Sequence, residues 1–253
     1  MISRLSPLLA MPFCLGLAGC QSEQTPLTPN QFFQQRANTV CSAVTSACLV
    51  PLATCTAGRV AEYTADYQTA LAALRDFIPD NAEACLAKVK DVYGKLDEGA
   101  VALKAADYLA MEDICANVYR GAGVAYGACS ADADCLGNLI CDKGFCGTPK
   151  LVPPGAGCAN IGEYCPMGSY CSNASGVWLC SAESDLQGSC AQSPCLESLR
   201  CAAGVCVARL AIAEPCASNV DCASGFCEPY AYLCAEDIRF ANHSAACVAM
   251  GGS

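Results

Sequence analysis

Between residues 129 and 234, sixteen cysteines fall into groups of four, and no other feature limits the possible folds so sharply. The groups are 129, 135, 141, 146; 158, 165, 171, 180; 190, 195, 201, 206; and 216, 222, 227, 234, with starts recurring every 26–32 residues. A segment of that length buries too little apolar surface to hold itself together, so covalent cross-links must replace a core. The first group reads Gly127-Ala-Cys129-Ser-Ala-Asp-Ala-Asp134-Cys135-Leu-Gly137-Asn-Leu-Ile-Cys141-Asp-Lys-Gly-Phe-Cys146. The last reads Glu214-Pro-Cys216-Ala-Ser-Asn-Val-Asp221-Cys222-Ala-Ser-Gly225-Phe-Cys227 and closes at Cys234. The shared frame is Cys, a short loop, Asp-Cys, a Gly turn, Cys, a short loop, Cys.

A hairpin with two bridges is the natural unit, expected at 127–146, 158–180, 190–206 and 216–234. Four cysteines allow three pairings. First-to-third and second-to-fourth is the favoured one. It gives Cys129–Cys141, Cys135–Cys146, Cys158–Cys171, Cys165–Cys180, Cys190–Cys201, Cys195–Cys206, Cys216–Cys227 and Cys222–Cys234. Two units depart from the frame. Glu163-Tyr164 replaces the Asp before Cys165, and Pro194 precedes Cys195. Those units are expected to differ in shape.

Residues 31–121 have a different character, rich in Ala and Leu and read as a helical bundle. Phe33, Ala37, Val40, Cys41, Val44 and Cys48 share one helical face, ended by Pro51. Val60, Tyr63, Tyr67, Leu71, Leu74 and Phe77 form a second stripe. Asp80-Asn81-Ala82-Glu83 suggests the start of a third helix. Cys85, Leu86, Val89, Val92, Tyr93 and Leu96 lie on its apolar face, and Gly99 ends it. A last helix carries Met111, Cys115, Val118 and Tyr119 up to Gly121. The fold class is therefore α plus small disulfide-rich: a helical bundle followed by four stapled hairpins and a tail, 235–253.

Five cysteines sit in the bundle. Residues seven apart in one helix are about 10 Å apart along its axis, too far for a disulfide. Cys41 therefore cannot bridge Cys48 there. Cys48 could reach Cys55 across the Pro51 turn, and Cys85 could staple its helix to Cys115. The remaining Cys41 is assigned by elimination to Cys247 near the C-terminus.

The chain opens with Arg4, an apolar run, and Leu17-Ala18-Gly19-Cys20. A basic residue, an apolar stretch and small residues at the cut read as an export signal. The small-small-Cys ending resembles the lipobox of bacterial lipoproteins. That resemblance implies a signal peptide at 1–19 and a diacylated Cys20 at the mature N-terminus. Residues 21–30, polar with two prolines and no apolar period, read as a tether, so that 20–30 is a lipidated cysteine and flexible tether. Of the 24 cysteines, Cys14 would leave with the signal and Cys20 would take lipid, leaving 22 to pair. The cysteine density suits an oxidising, exported setting.

The repeat frame resembles Dickkopf-type and EGF-like cysteine-rich repeats. Asn81-Ala-Glu-Ala-Cys85-Leu, then Cys115-Ala-Asn-Val-Tyr-Arg-Gly121 and Gly127-Ala-Cys129, is similar to a group of cysteine-rich lipoproteins from large-genome Gram-negative bacteria. The resemblance implies architecture and carries over no catalytic or ligand residue. By analogy with lipoprotein sorting, the lack of Asp after Cys20 points to the outer membrane.

Reactive constellations are scarce. Net charge is −10, which disfavours nucleic acid. No Cys-x-x-Cys occurs, which argues against zinc ribbons and thioredoxin-like redox sites. His243 is the only histidine and would have to centre any triad. Asp132, Asp134 and Asn138 could offer oxygens to calcium, yet lack the length and closing Glu of an EF-hand loop. The expectation is a chain with no catalytic residue, no metal and no cofactor.

The longest loops within the repeats carry Trp178, Tyr230 and Tyr232, which are candidate binding residues for an envelope protein, peptide or glycan. The function expected is a non-enzymatic, lipid-anchored envelope protein with a structural or binding role. The alternative is an exported hydrolase, or an inhibitor of one, on the same disulfide scaffold.

Overall fold

The computed structural model describes residues 25–97 and 102–252. The lipobox, Cys20 and Gly99 lie outside the described residues. An N-terminal helical region packs around one apolar core, and small disulfide-stapled strand hairpins follow it.

Helix α1, Pro29–Cys48, begins with a reciprocal cap. Gln31 N donates to Thr28 Oγ1 at 3.4 Å, and Thr28 N donates to Gln31 Oε1 at 3.0 Å. Pro29 occupies the first turn, where its missing N–H costs nothing. Ordered helix therefore starts inside the stretch expected to be tether. Leu49 turns left-handed to end α1, and α2 runs Leu52–Ala72. Only Cys55, Tyr63 and Ala70 of α2 are buried.

The second predicted stripe breaks at the end of α2. Leu74 is left-handed and exposed, and Phe77 enters the core on strand β1, Arg75–Phe77. Helix α3, Pro79–Asp97, follows, with Cys85, Val89, Val92, Tyr93 and Leu96 buried. Strand β2, Ala102–Lys104, leads into α4, Ala105–Cys115. That helix stops four residues before Tyr119, which lies instead in β3, Tyr119–Gly121, antiparallel to β1. Backbone pairing with β1 wins over continuing the helix. Gly121 does not act as a helix end. A Cβ there would stand 2.2 Å from the Asp134 carbonyl, so the position requires glycine for close approach.

The hairpins pair β4, Ile140–Asp142, with β5, Phe145–Gly147. The short parallel pair β6, Lys150–Leu151, and β7, Glu163–Tyr164, follows. Then β8, Ser169–Ser172, pairs with β9, Leu179–Ala182, and β10, Leu199–Ala202, with β11, Val205–Ala208. The segment 216–234 forms isolated bridges in place of paired strands: Leu210 to Cys222, Pro215 to Leu233 and Cys227 to Cys234.

The tail does not stand apart. Strand β12, Asp237–Arg239, pairs with β2, and helix α5, Ala245–Ala249, packs on α1. Phe226, Ile238, Phe240, Cys247 and Met250 are all buried in the helical core.

Two expected bridges are corrected. The structure pairs Cys41 with Cys55 and Cys48 with Cys247, in place of Cys48–Cys55 and Cys41–Cys247. Cys48 sits at the α1–α2 corner, and the tail docks on that corner. A Cβ on Gly252 would lie 3.3 Å from the Cys48 carbonyl, and one on Gly251 would lie 3.4 Å from the Thr54 methyl. The corner cysteine therefore meets the tail. Cys55, on the first turn of α2, lies back alongside α1 at Cys41, with Cα atoms 5.8 Å apart. Cys85 is joined to Cys115, stapling α3 to α4.

Candidate functional site

The cysteine-rich segments repeat one hydrogen-bonding scheme. Cys129 is joined to Cys141 and Cys135 to Cys146; Cys158 to Cys171 and Cys165 to Cys180. Cys190 is joined to Cys201, Cys195 to Cys206, Cys216 to Cys227 and Cys222 to Cys234. In the hairpins the third and fourth cysteines face each other across the strands, as Cys141 and Cys146 do. They bond the loop that precedes them, not one another. Each loop thus lies clamped across its hairpin.

The backbone repeats more faithfully than the side chains. Gly123 N donates to the Asp134 carbonyl, Val152 N to Tyr164, Ser184 N to Pro194 and Leu210 N to Asp221, at 3.0, 2.9, 2.8 and 2.7 Å. The residue before the second cysteine therefore serves through its carbonyl, which proline retains. The expectation that Tyr164 and Pro194 would reshape their units does not hold at this contact.

The Asp side chain has its own role where it occurs. Asp134 Oδ2 accepts from the N–H groups of Ser130 and Ala131, at 2.8 and 2.9 Å. Asp221 Oδ2 accepts from Ala217 and Ser218 in the same way, at 3.0 and 2.9 Å. Asp132 Oδ1 accepts from Cys141 N, and its counterpart Asn219 Oδ1 from Cys227 N. Two of the three residues considered for calcium, Asp132 and Asp134, thus hold the loop through these oxygens. Backbone donors, first that of Ser130, together with Arg75 at 2.8 Å keep the Asp134 carboxyl well below its ordinary range. The donors of Ala217 and Ser218 lower Asp221 likewise. In the second segment, one of the two without this Asp, Glu163 takes over one position earlier. It accepts from Asn160 N at 3.1 Å and from Lys150 at 2.9 Å, which hold it at about 2.

The same frame places the candidate aromatics. The first cysteine of each segment donates its N–H to the carbonyl two residues before the fourth: Gly144, Trp178, Gly204 and Tyr232. Trp178 and Tyr232 thus occupy one frame position, filled elsewhere by glycine. Both are exposed, at 38% and 63%. One face of the Trp178 ring is covered by Lys143, whose Nζ lies 5.5 Å from the centroid. Lys143 Nζ also donates to the carbonyls of Cys158 and Asn160, so the indole sits at the seam between adjacent segments.

Tyr230 is a correction. It does not stand at a hairpin tip. It packs against the helical core, and burial pushes its hydroxyl up to about 12. The two tyrosines around Ala231 thus face opposite environments.

The core beside Tyr230 contains a cationic cluster that the sequence reading did not single out. Tyr63 lies between Arg36 and Arg59, with guanidinium carbons 4.5 and 5.1 Å from its ring centroid. Glu112 pairs with Arg36 at 3.3 Å and Glu62 with Arg59 at 2.7 Å. Each arginine on α1 and α2 is thus matched by a carboxylate, and the cluster reads as an internal fastening. The sequence offered no signal for it beyond charged residues near an apolar stripe. His243 has a left-handed backbone, and its Nε2 lies 3.2 Å from Asn242 Nδ2.

No protein-family model, curated protein or solved structure matches this chain.

Proposed function

We propose that the chain is a non-enzymatic, lipid-anchored protein of the bacterial cell envelope that binds a protein, peptide or glycan through four disulfide-rich repeats. The supporting observation is that Trp178 and Tyr232 are exposed at one equivalent position of a clamped frame. Aromatics held by disulfides and backbone hydrogen bonds lose little freedom on binding, so more of their contact energy appears as affinity. Tyr230 is withdrawn from the binding set. Cys20, behind its apolar leader, supplies the anchor in this reading and places the protein at the outer membrane. No described helix is long and apolar enough to cross a membrane.

The reading is tested by capture from envelope extract with the full oxidised chain. W178A/Y232A should keep all its bridges and lose roughly tenfold or more of its partner binding. Acyl chains should be found on Cys20 by mass spectrometry. Unchanged capture by the folded double variant, or hydrolysis of peptidoglycan, peptide or glycan panels by the purified wild type, overturns the proposal.

A further inference from the structure

The last cysteine-rich segment and the tail enclose a groove of about 410 Å³. Its wall is apolar at Ile212, Leu233 and Ala235 and acidic at Glu228 and Glu236. The other charged groups lining it, Asp237 and Arg239, pair with each other at 3.1 Å. The groove is left with uncompensated negative charge.

Glu228 is only 6% exposed. Its Oε2 accepts from the backbone N–H groups of Tyr230, at 3.1 Å, and Ala231. Both lone pairs of that oxygen are thereby engaged. Its Oε1 is buried and has no hydrogen-bond partner among the described residues. A buried carboxylate oxygen without a donor is destabilising. The cost is relieved when a cationic donor arrives.

We propose that this groove binds a lysine side chain of a peptide. The stem lies along Ile212, Leu233 and Ala235, and the ammonium meets the carboxylate of Glu228 where that residue lines the groove. The chemistry selects lysine over arginine. A guanidinium binds carboxylates best through two parallel N–H···O bonds, and Oε2 is already occupied. An ammonium is a compact donor that can use one oxygen, and its methylene stem suits an apolar wall. The volume is within the usual range for sites that take a small ligand. This goes beyond the function proposed above, since it draws on neither the anchor nor the exposed aromatics.

The test is calorimetric titration of the oxidised full chain with acetyl-Ala-Lys-Leu-amide. The same peptide with norleucine or arginine in place of lysine serves as control. The lysine peptide should bind, and both controls should bind weaker by roughly tenfold or more. Glu228→Gln should lose a similar factor, because the amide oxygen still accepts from Tyr230 and Ala231 while the charge is gone. If that variant misfolds, Ile212→Arg carries the test, since it places a repelling cation on the exposed wall and leaves Glu228 untouched. It should also bind roughly tenfold weaker or worse. Any one of three results overturns the proposal: no binding by the wild type at millimolar peptide, equal binding of the three peptides, or wild-type affinity in folded Ile212→Arg.

Discussion

The helical region and the cysteine-rich segments reach a fixed structure by opposite means. The helices bury Phe32, Phe33, Val44, Val89, Val92 and Met111 in one contiguous core, which the tail completes with Ile238, Phe240 and Met250. The separate small clusters of the cysteine-rich region consist almost wholly of cysteine: Cys158 and Cys180 with Val152 in one, Cys222, Cys227 and Cys234 in another. One region is held by what it removes from water, the other by covalent restraint on the unfolded chain. Their sensitivities should therefore differ. Removing cross-links should be far more damaging where no core stands behind them.

Full reduction is the strongest way to separate the two regions. Each bridge in a small module is worth about 2–4 kcal/mol, comparable to a domain's whole stability when several are lost together. Reduced protein should lose amide protection across 158–208 first. The helices should keep much of their far-UV signal, because their core remains. The segment 216–234 should resist longer than its neighbours, since Phe226 is buried in the helical core. Hydrogen exchange during graded reduction checks the order. Helices that melt before 158–208 would show that the core contributes less than its burial suggests.

The same contrast explains what could be read from the residues. Cysteine spacing reports the hairpins directly, because a bridge needs two specific residues at a specific interval. Phe33, Ala37, Val40, Cys41, Val44 and Cys48 reported the buried face of α1 equally well. The reading failed where a local period is overridden by a distant partner. Phe77 and Tyr119 extend helical stripes in sequence, yet pair as strands. Cys48 is near Cys55 in sequence, but the corner it occupies is covered by a tail 199 residues on. Tyr230 and Tyr232 look alike in sequence, and only the fold sends one inward. The groove at Glu228 joins residues from the last segment and the tail, and no spacing rule brings those together.

Acid should expose the difference more gently. Asp134, Asp221 and Glu163, all in the cysteine-rich segments, are held below their ordinary values by backbone donors or cationic partners. A depressed carboxyl contributes its stability above the unfolded value, near 4 for these groups. That contribution is lost as pH falls through the folded values, reaching about 2 for Glu163. Thermal unfolding followed from pH 6 down to about pH 2 should therefore show the hairpins losing stability ahead of the helices. Asp134→Asn, which gives up the Arg75 pair and the charged acceptor, should cost about 1–3 kcal/mol at neutral pH. It should also flatten the acid response of the first segment. Equal acid sensitivity in the two regions would mean these carboxylates do not control hairpin stability.

The smallest effect concerns the backbone that the cysteine-rich segments share. Three residues before the first cysteine of each segment, the chain is left-handed: Tyr126, Gly155, Gln187 and Ala213 have φ of 67°, 74°, 68° and 69°. That conformation turns the N–H toward the carbonyl of the fourth cysteine, as Gln187 N donates to Cys206 at 2.8 Å. A side chain there costs about 1–2 kcal/mol, and only one of these positions is glycine. The disulfides tolerate this strain because they hold the loop whatever its local preference. Gln187 is exposed, so Gln187→Gly removes the strain without removing a buried contact. Part of the gain is returned as the greater freedom of glycine in the unfolded chain. The expected net stabilisation is about 0.5–1 kcal/mol. Gly155→Ala is the reciprocal change. A Cβ there meets nothing within 4 Å, so any loss must come from φ alone. It should destabilise its segment by a similar amount, and denaturation midpoints of the two variants should move in opposite directions. Midpoints that stay fixed in both would mean that the bridges alone set hairpin stability, with no contribution from local backbone preference.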